Sequence, residues 1–251
     1  MSPLKIFLAD LTYDTITLST DVFPLNIGYI AAYAKAQFGS DIEVKLFKYI
    51  EKIEEELEHS PPDILAMSNY AWCHRISREL SKILSKLNPN GIIVWGGPNF
   101  PLDLPSQKNF FKENSIIDIY VPVEGEIGFA NIIKKALEVK SKDEFRNKML
   151  GEPIDGCITR LKNGKLQYST APIRTKQLDE IPSPYTTGIL DEFFDGKLSP
   201  MIQTNRGCPF SCTFCVDGSD LVNKVNTFSN ERVGKELHYI GKHVTPNMHS
   251  M

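Results

Sequence analysis

The stretch Gly91-Ile-Ile-Val-Trp-Gly-Gly-Pro98 decides the fold of the first half of the chain, because it is the most hydrophobic strand pattern there. A short run of aliphatic and aromatic residues that ends in two glycines and a proline is typical of a buried strand. The other strand patterns are Lys5–Ala9, Glu43–Phe47, Asp63–Met67 and Asp118–Val123. Helical periodicity lies between and after them, at Leu25–Phe38, Glu51–Glu58, Ile76–Leu87 and Glu126–Val139.

This alternation predicts an α/β domain over residues 1–140, a doubly wound parallel sheet of the Rossmann or flavodoxin type. Such open sheets bind ligands beyond the carboxyl ends of their strands. The residues at the predicted ends are Asp10, Ser68, Asn69, Gly96, Gly97, Glu124 and Gly125. We therefore expect a ligand of this domain to contact them. Three of these residues have a plainer interpretation, Gly96 and Gly97 as a tight turn and Glu124 as a helix cap.

The pattern changes after residue 140. Residues 141–197 contain a predicted hairpin, Cys157–Tyr168, with Asn163-Gly164 as its turn, and then a proline-studded linker at Leu178–Tyr185. Residues 198–251 form a third region, with a predicted strand at Leu198–Thr204, a cysteine loop and a helix at Asn230–His243 capped by Ser229 or Asn230. A complete (β/α)8 barrel takes about 250 residues, so this region has room for one β/α unit of such a barrel.

The composition of the chain excludes several classes of protein. With 41% hydrophobic and 24% charged residues, the 251 residues predict a packed globule. The net charge of −3 gives no electrostatic reason to expect a nucleic-acid partner. No apolar run approaches the roughly 18 residues of a membrane span. Because no export signal is evident, the five cysteines are expected to be reduced thiols, in keeping with a cytoplasmic location.

Three cysteines stand together at Cys208, Cys212 and Cys215, in the spacing C-x3-C-x2-C. Three thiolates can hold three irons of a cubane iron–sulfur cluster and leave the fourth iron open, whereas fully ligated clusters use four cysteines. The alternative is a structural zinc site, which needs four ligands. Neither the remaining cysteines nor the histidines lie at zinc-finger spacing from this loop, so the spacing favours the open cluster.

The run Arg206-Gly-Cys-Pro-Phe-Ser-Cys-Thr-Phe-Cys215 resembles the signature of radical S-adenosylmethionine (SAM) enzymes. The resemblance implies that Cys208, Cys212 and Cys215 bind a [4Fe-4S] cluster whose open iron is chelated by SAM. It further implies that one electron cleaves SAM to a 5′-deoxyadenosyl radical, with Phe214 near the SAM adenine. A reaction of this kind needs an electron donor such as flavodoxin or ferredoxin.

The upstream domain is similar to that of the cobalamin-binding subclass of this family. The similar segments are Pro24–Tyr33, Gly96-Gly97-Pro98 and Val123–Glu126. The resemblance implies that cobalamin is the ligand at the strand ends given above, and that Thr12 is also near it. Thr12 stands where many cobalamin domains have a histidine that binds cobalt, so we expect no histidine below the cobalt here.

These resemblances imply a cobalamin-dependent radical SAM enzyme, a transferase that carries out methyl transfer or a related radical modification of an unknown small-molecule or peptide substrate. The chain then corresponds to a cobalamin domain followed by the first β/α unit of a partial TIM-type barrel, truncated early. The alternative is a non-catalytic cobalamin-binding module or an inactive fragment of such an enzyme.

Overall fold

The computed structural model describes residues 2–13, 20–169, 174–213, 215, 218 and 222–245. These residues form two compact units. Unit 1 comprises residues 1–20 and 33–173, and unit 2 comprises residues 21–32 together with those from 174 onward. Within the described residues, no helix combines the length and the apolar character that a membrane crossing requires.

Unit 1 is built on a seven-stranded sheet in the order β2-β1-β3-β4-β5-β6-β7. The strands are β1 (Leu4–Thr12), β2 (Ile42–Tyr49), β3 (Ile64–Ser68), β4 (Ile92–Gly96), β5 (Ile119–Val121), β6 (Ile158–Arg160) and β7 (Leu166–Tyr168). The first five pair in parallel, and their order 2-1-3-4-5 is that of flavodoxin-like sheets. The α/β fold predicted from the alternating patterns is confirmed.

The helices along this part of the chain are α1 (Leu25–Phe38), α2 (Ile50–His59), α3 (His74–Leu87), α4 (Leu104–Glu113), α5 (Gly125–Glu138) and α6 (Phe145–Met149). One sheet face packs Phe7, Leu65 and Trp95 in a core with Ile53 of α2 and Leu84 of α3. Successive strand residues point to opposite faces, so Val121 lies on the other face from Tyr120. There Val121 meets Gly128 of α5, which places helices on both faces as predicted.

The predicted hairpin forms, but it does not stand apart from the domain. Strand β6 pairs antiparallel with β5 through Ile119 and Thr159, and β7 then pairs with β6. The hairpin therefore extends the parallel sheet at its β5 edge, which sequence periodicity did not indicate. Covering the edge of β5 in this way satisfies its backbone hydrogen-bonding groups.

A buried carboxylate fastens the surrounding chain to this side of the sheet. Asp118, with 2% of its side chain exposed, pairs with Arg146 of α6 and accepts a 2.9 Å hydrogen bond from the Ile93 amide. Arg146 also donates to the Gly91 carbonyl at 2.6 Å. Burial raises the pKa of Asp118, while Arg146 and Arg160 oppose that shift. The short helix α6 is thus held by one buried ion pair.

Unit 2 contains the helix α7 (Asn230–His243), whose predicted bounds are confirmed. Its predicted cap is confirmed as Ser229, whose side chain accepts from the Arg232 amide at 3.2 Å. Glu236 of α7 is buried, and it accepts hydrogen bonds from Arg232 Nε at 2.7 Å and Ser183 Oγ at 2.6 Å. The linker that contains Ser183 is therefore tied to α7.

The strand predicted at Leu198–Thr204 is wrong. The strands present are β8 (Asn205–Arg206) and β9 (Asn226–Thr227), which pair antiparallel, and Ser199 makes only an isolated bridge with Val22. A strand is stabilised by hydrogen bonds to its neighbours rather than by its own pattern. Within the described part of unit 2, residues 200–203 pair with no strand, and Thr204 accepts one hydrogen bond from the Phe228 amide just after β9, so the apolar pattern alone does not produce a strand.

Replacing Asp118 by alanine should destabilise unit 1 by about 2–4 kcal/mol, because it leaves the Ile93 amide and the Arg146 guanidinium without their common acceptor. Urea denaturation followed by circular dichroism measures this change. The control is Glu79→Ala, which removes a carboxylate from an exposed pair with Lys82 and should have a much smaller effect. Equal losses in the two variants would contradict the structural role of Asp118.

Candidate functional site

The carboxyl end of β1 carries a buried charged group. Asp10 is 7% exposed, and its carboxylate lies 3.6 Å from Nζ of Lys48 at the end of β2. Burial raises the pKa of Asp10, and Lys48 and Ser68 act in the opposite direction. Lys48, whose side chain is 1% exposed, also donates to Thr20 Oγ1 at 3.1 Å. The sequence predicted Asp10 and Ser68 at this edge but gave no signal for Lys48.

Thr12 lies two residues further along β1 and is buried. Its Oγ1 accepts a 2.9 Å hydrogen bond from the Thr20 amide and donates to the Tyr13 carbonyl at 3.3 Å. The hydroxyl at this position therefore joins two parts of the chain after β1.

Asn69 connects the end of β3 to the loop that follows β4. Its side chain is fully buried, and its Nδ2 donates to the Asn99 carbonyl at 2.6 Å and to the Tyr120 hydroxyl at 3.2 Å. The Tyr120 hydroxyl in turn donates to the Gly97 carbonyl at 2.7 Å. Because Nδ2 of Asn69 donates to a carbonyl, the other side-chain atom, Oδ1, is the one that lies 3.0 Å from His74 Nδ1. An amide oxygen can only accept, so His74 Nδ1 carries the proton.

The two glycines at the end of β4 allow a close approach of backbones. Gly97 has φ +119°, and a Cβ there would lie 3.0 Å from the Asn69 carbonyl oxygen and 3.1 Å from its nitrogen. The Asn69 amide donates to the Gly96 carbonyl at 2.6 Å. Glycine is therefore required at position 97 both for its conformation and for space. Gly96 is the last residue of β4, and the chain bends at Gly97, directly after the strand.

The end of β5 carries a strained residue. Val123 has φ +62°, which is unusual for a β-branched side chain, and it is 39% exposed. Glu124 follows at the N-cap position of α5, but its side chain does not accept a capping hydrogen bond. Glu124 thus occupies the predicted cap position, where a negative charge is favourable at the start of a helix. Gly125 is the first residue of α5. Strain of this kind is found more often at binding sites than elsewhere.

Apolar side chains are exposed after β3, β4 and β5, in the loops and at the first residue of α4. Tyr70 and Trp72 stack with ring centroids 4.6 Å apart and an interplanar angle of 7°, and Trp72 is 47% exposed. Leu102 and Leu104 are 57% and 56% exposed. Exposed apolar residues that lie together in a patch indicate a binding surface, whereas single exposed apolar residues are common on any protein. These exposed side chains gave no signal in the sequence, because residues in loops follow no periodicity.

In unit 2, the cysteine loop is shaped by its own backbone. The Cys208 amide donates to the Val222 carbonyl at 3.1 Å, and the Cys215 amide donates to the Cys212 carbonyl at 3.2 Å. Gly207 has φ +95°, and a Cβ there would collide with the Lys224 carbonyl oxygen. Glycine is therefore required immediately before the first cysteine. Phe214, expected near SAM, lies outside the described residues.

All five cysteines are free thiols, but they occupy different environments. Cys212 and Cys215 are exposed and share one turn, and Cys208 is half-buried. Cys73 and Cys157 are buried, and burial raises the pKa of both, to about 12 for Cys157. Soft, accessible thiols suit an iron–sulfur cluster, whereas buried thiols of high pKa are poor ligands.

The described residues do not themselves form a closed metal centre. Among the residues that the structure describes, no group of three His, Cys, Asp or Glu side chains is placed to hold a metal ion. The structure thus brings Cys212 and Cys215 together in one turn without closing the trio around a common point. The donor set still fits a cluster, because all three thiols are free and lie within one stretch of eight residues.

The fold and the loop together define a mixed α/β protein with a flavodoxin-like sheet and a three-cysteine loop. No family model matches the chain. It is 29% identical over 188 residues to the cobalamin-dependent radical SAM methyltransferase TokK of Streptomyces tokunonensis, covering 72% of this chain and 26% of TokK. It is 27% identical over 236 residues to the 2-(S-pantetheinyl)-carbapenam-3-carboxylate methyltransferase of Streptantibioticus cattleyicolor, covering 88% of this chain and 32% of that enzyme.

A solved structure supports the same fold. The cobalamin-dependent SAM radical enzyme OxsB, with aqua-cobalamin and SAM bound, matches 96% of this chain with a TM-score of 0.67 and 22% identity. The chain covers 32% of OxsB, so it spans about a quarter to a third of the length of these relatives. Of these proteins, TokK is a cobalamin-dependent radical SAM methyltransferase and OxsB is a cobalamin-dependent SAM radical enzyme, which confirms the resemblance predicted from the sequence.

The environment of His74 predicts a pH dependence of the stability of unit 1. Burial and the nearby Arg78 lower its pKa, and a hydrogen bond with Asn114 acts in the opposite direction. The unfolded chain therefore binds a proton at a higher pH than the folded chain does, so stability should fall as pH decreases through about 6.5.

We expect His74→Gln to reduce this dependence, since glutamine can still donate to Asn69 Oδ1 but does not titrate. Denaturant titrations between pH 5 and pH 7.5 measure the slope. A slope identical in the variant and the wild type would show that His74 does not contribute to it.

Proposed function

We propose that the protein is a cobalamin-dependent radical SAM enzyme in which Cys208, Cys212 and Cys215 hold a [4Fe-4S] cluster. The cysteine trio is the observation that carries this proposal, because three accessible thiols leave one iron of such a cluster without a protein ligand. The similarity to the cobalamin-dependent radical SAM methyltransferase TokK, over 72% of the chain, and to a carbapenam carboxylate methyltransferase, over 88%, supports it.

The residues of unit 1 would serve as the binding site for cobalamin. Trp72, Leu102 and Leu104 present apolar surface that suits a flat macrocycle and excludes water from one side of it. The proposed contacts also include the strand ends Asp10, Thr12, Ser68, Asn69, Gly96, Gly97, Glu124 and Gly125. Several of these are already fixed by hydrogen bonds to the backbone, so the site is largely preformed.

When bound, the cluster and SAM supply one-electron cleavage of SAM, and cobalamin supplies a carrier for a methyl group. The residues of the chain would hold these groups and keep the three thiols accessible. Phe214 is proposed to lie near the SAM adenine. We propose methyl transfer or a related radical modification as the reaction, a small molecule or a peptide as the substrate, and flavodoxin or ferredoxin as the electron donor.

The alternative is a module that binds cobalamin without catalysis. Such a module would take up cobalamin but would not cleave SAM. The methyltransferase activity named for the homologues favours the enzyme.

Anaerobic reconstitution with iron and sulfide, followed by addition of cobalamin and SAM, tests the proposal. We expect about four irons per chain. The Cys212→Ala variant should lose most of this iron, because two thiolates cannot hold a cubane cluster against competing thiols in solution. Iron and sulfide assays, together with electron paramagnetic resonance of the reduced protein, measure the result.

The matched control is Cys157→Ala, which removes a buried thiol that donates to the Gly128 carbonyl at 3.5 Å. It should keep the iron of the wild type. One zinc per chain with no iron would contradict the cluster. Bound cobalamin with an intact cluster but no product of SAM cleavage would favour the non-catalytic module.

Thr12 leads to a second prediction about the bound cofactor. Its hydroxyl is bonded to the Thr20 amide and the Tyr13 carbonyl, in the position where many cobalamin domains have a histidine. We therefore expect the electron paramagnetic resonance spectrum of the cobalt(II) form to be unchanged when the protein is labelled with 15N-histidine. A change in nitrogen hyperfine splitting on labelling would establish an imidazole ligand and overturn this expectation.

A further inference from the structure

Three side chains of unit 2 form a layered stack beside the start of the cysteine loop. The guanidinium carbon of Arg206 lies 5.2 Å from the centre of the Tyr29 ring. Tyr29 stacks on Phe228, with centroids 5.7 Å apart and an interplanar angle of 14°. Both rings are buried, with 2% and 5% of their surface exposed. A cation held against a desolvated ring interacts more strongly than one on an exposed ring.

Arg206 is also held through its other polar groups. Its Nε donates to Gln203 Oε1 at 3.0 Å, and its carbonyl accepts from Arg174 Nη2 at 3.4 Å. Its backbone pairs with Asn226 of β9. These contacts come from three separate segments of unit 2, so both the side chain and the backbone of Arg206 have fixed positions.

The position of Arg206 determines where the loop begins. Gly207 follows in a left-handed conformation in which no side chain would fit, and the Cys208 amide then donates to the Val222 carbonyl. Only one residue separates Arg206 from the first cysteine. A shift of the Arg206 backbone would therefore move Cys208 directly.

We propose that Arg206 and Tyr29 are positioning residues for the cysteine loop, and that their guanidinium–ring contact fixes the strand from which Cys208 emerges. The part of this inference that concerns an iron–sulfur cluster rests on the proposed function, whereas the ordering of the loop does not. A preordered loop loses less conformational entropy when its three thiols bind a common ligand.

Amide hydrogen exchange of the metal-free chain tests the ordering of the loop. In Tyr29→Leu and in Arg206→Gln, the Cys208 amide should exchange about 2- to 30-fold faster than in the wild type, the range expected for loss of one guanidinium–ring contact. Tyr29→Phe keeps the ring and should exchange at close to the wild-type rate. The effects of the two substitutions should be less than additive in the double variant, because both remove the guanidinium–ring contact.

Lys235→Gln is the charge control, since it removes one positive charge from an exposed ion pair on α7. It should leave exchange at Cys208 unchanged. The amides of α7 are the internal reference for the folding of unit 2. Wild-type exchange at Cys208 in Tyr29→Leu, full additivity in the double variant, or equally faster exchange in the loop and in α7 would each overturn the proposal.

Iron release separates this inference from the proposed function. After anaerobic reconstitution, Tyr29→Leu and Arg206→Gln should lose iron to a chelator faster than the wild type, and Lys235→Gln and Tyr29→Phe should not. If the wild type takes up no iron, the cluster proposal fails, and the exchange rates still decide whether Arg206 and Tyr29 order the loop. If iron is held but released equally fast by all variants, the link between this contact and the cluster is wrong.

Discussion

The geometry of the carboxyl edge of the sheet depends on one buried amide, that of Asn69. A buried amide must satisfy its donors and acceptor within the protein. Asn69 does so with the Asn99 carbonyl, the Tyr120 hydroxyl and the ring of His74, and so joins the ends of β3 and β5 to the loop after β4. The close approach of Gly97 to the Asn69 backbone follows from this arrangement. The strand ends are therefore held in place before any ligand binds.

The cysteine loop of unit 2 is built on the same physical principle. Several backbone groups of its described residues are bonded within the protein, as in the contacts of Cys208 with Val222 and of Arg174 with Lys224. The side chains remain accessible: the thiols in this loop, and separately the apolar ring of Trp72 at the edge of the sheet in unit 1. Satisfying the backbone locally leaves these side chains available for a ligand.

The helices were the features predicted best from the sequence, because local periodicity determines them. The bounds of α1 and α7 were both predicted correctly, because each has an apolar stripe at helical spacing with a clear start. The strand predicted at Leu198–Thr204 was wrong, since strand formation depends on partners distant in the chain.

Contacts between distant residues could not be predicted for the same reason. Lys48 gave no signal in the sequence, because its partner Asp10 lies on another strand. The contact of Arg206 with Tyr29 was equally invisible, although both residues belong to segments that the sequence had singled out.

The ion pair between Asp10 and Lys48 limits the ligands that the carboxyl end of β1 can bind directly. In a buried ion pair, each charge depends on the other, because removing one leaves the second without compensation in a poorly solvated place. The carboxylate of Asp10 is directed to Lys48 and Ser68, and Lys48 reaches Thr20 as well. A carboxylate used in this way is a poor candidate for direct coordination of a metal. Asp10 contributes to a ligand site indirectly, because it fixes Lys48, and Lys48 in turn contacts Thr20. Thr20 is bonded to Thr12, so these residues together set the shape of the sheet edge that a cofactor would meet.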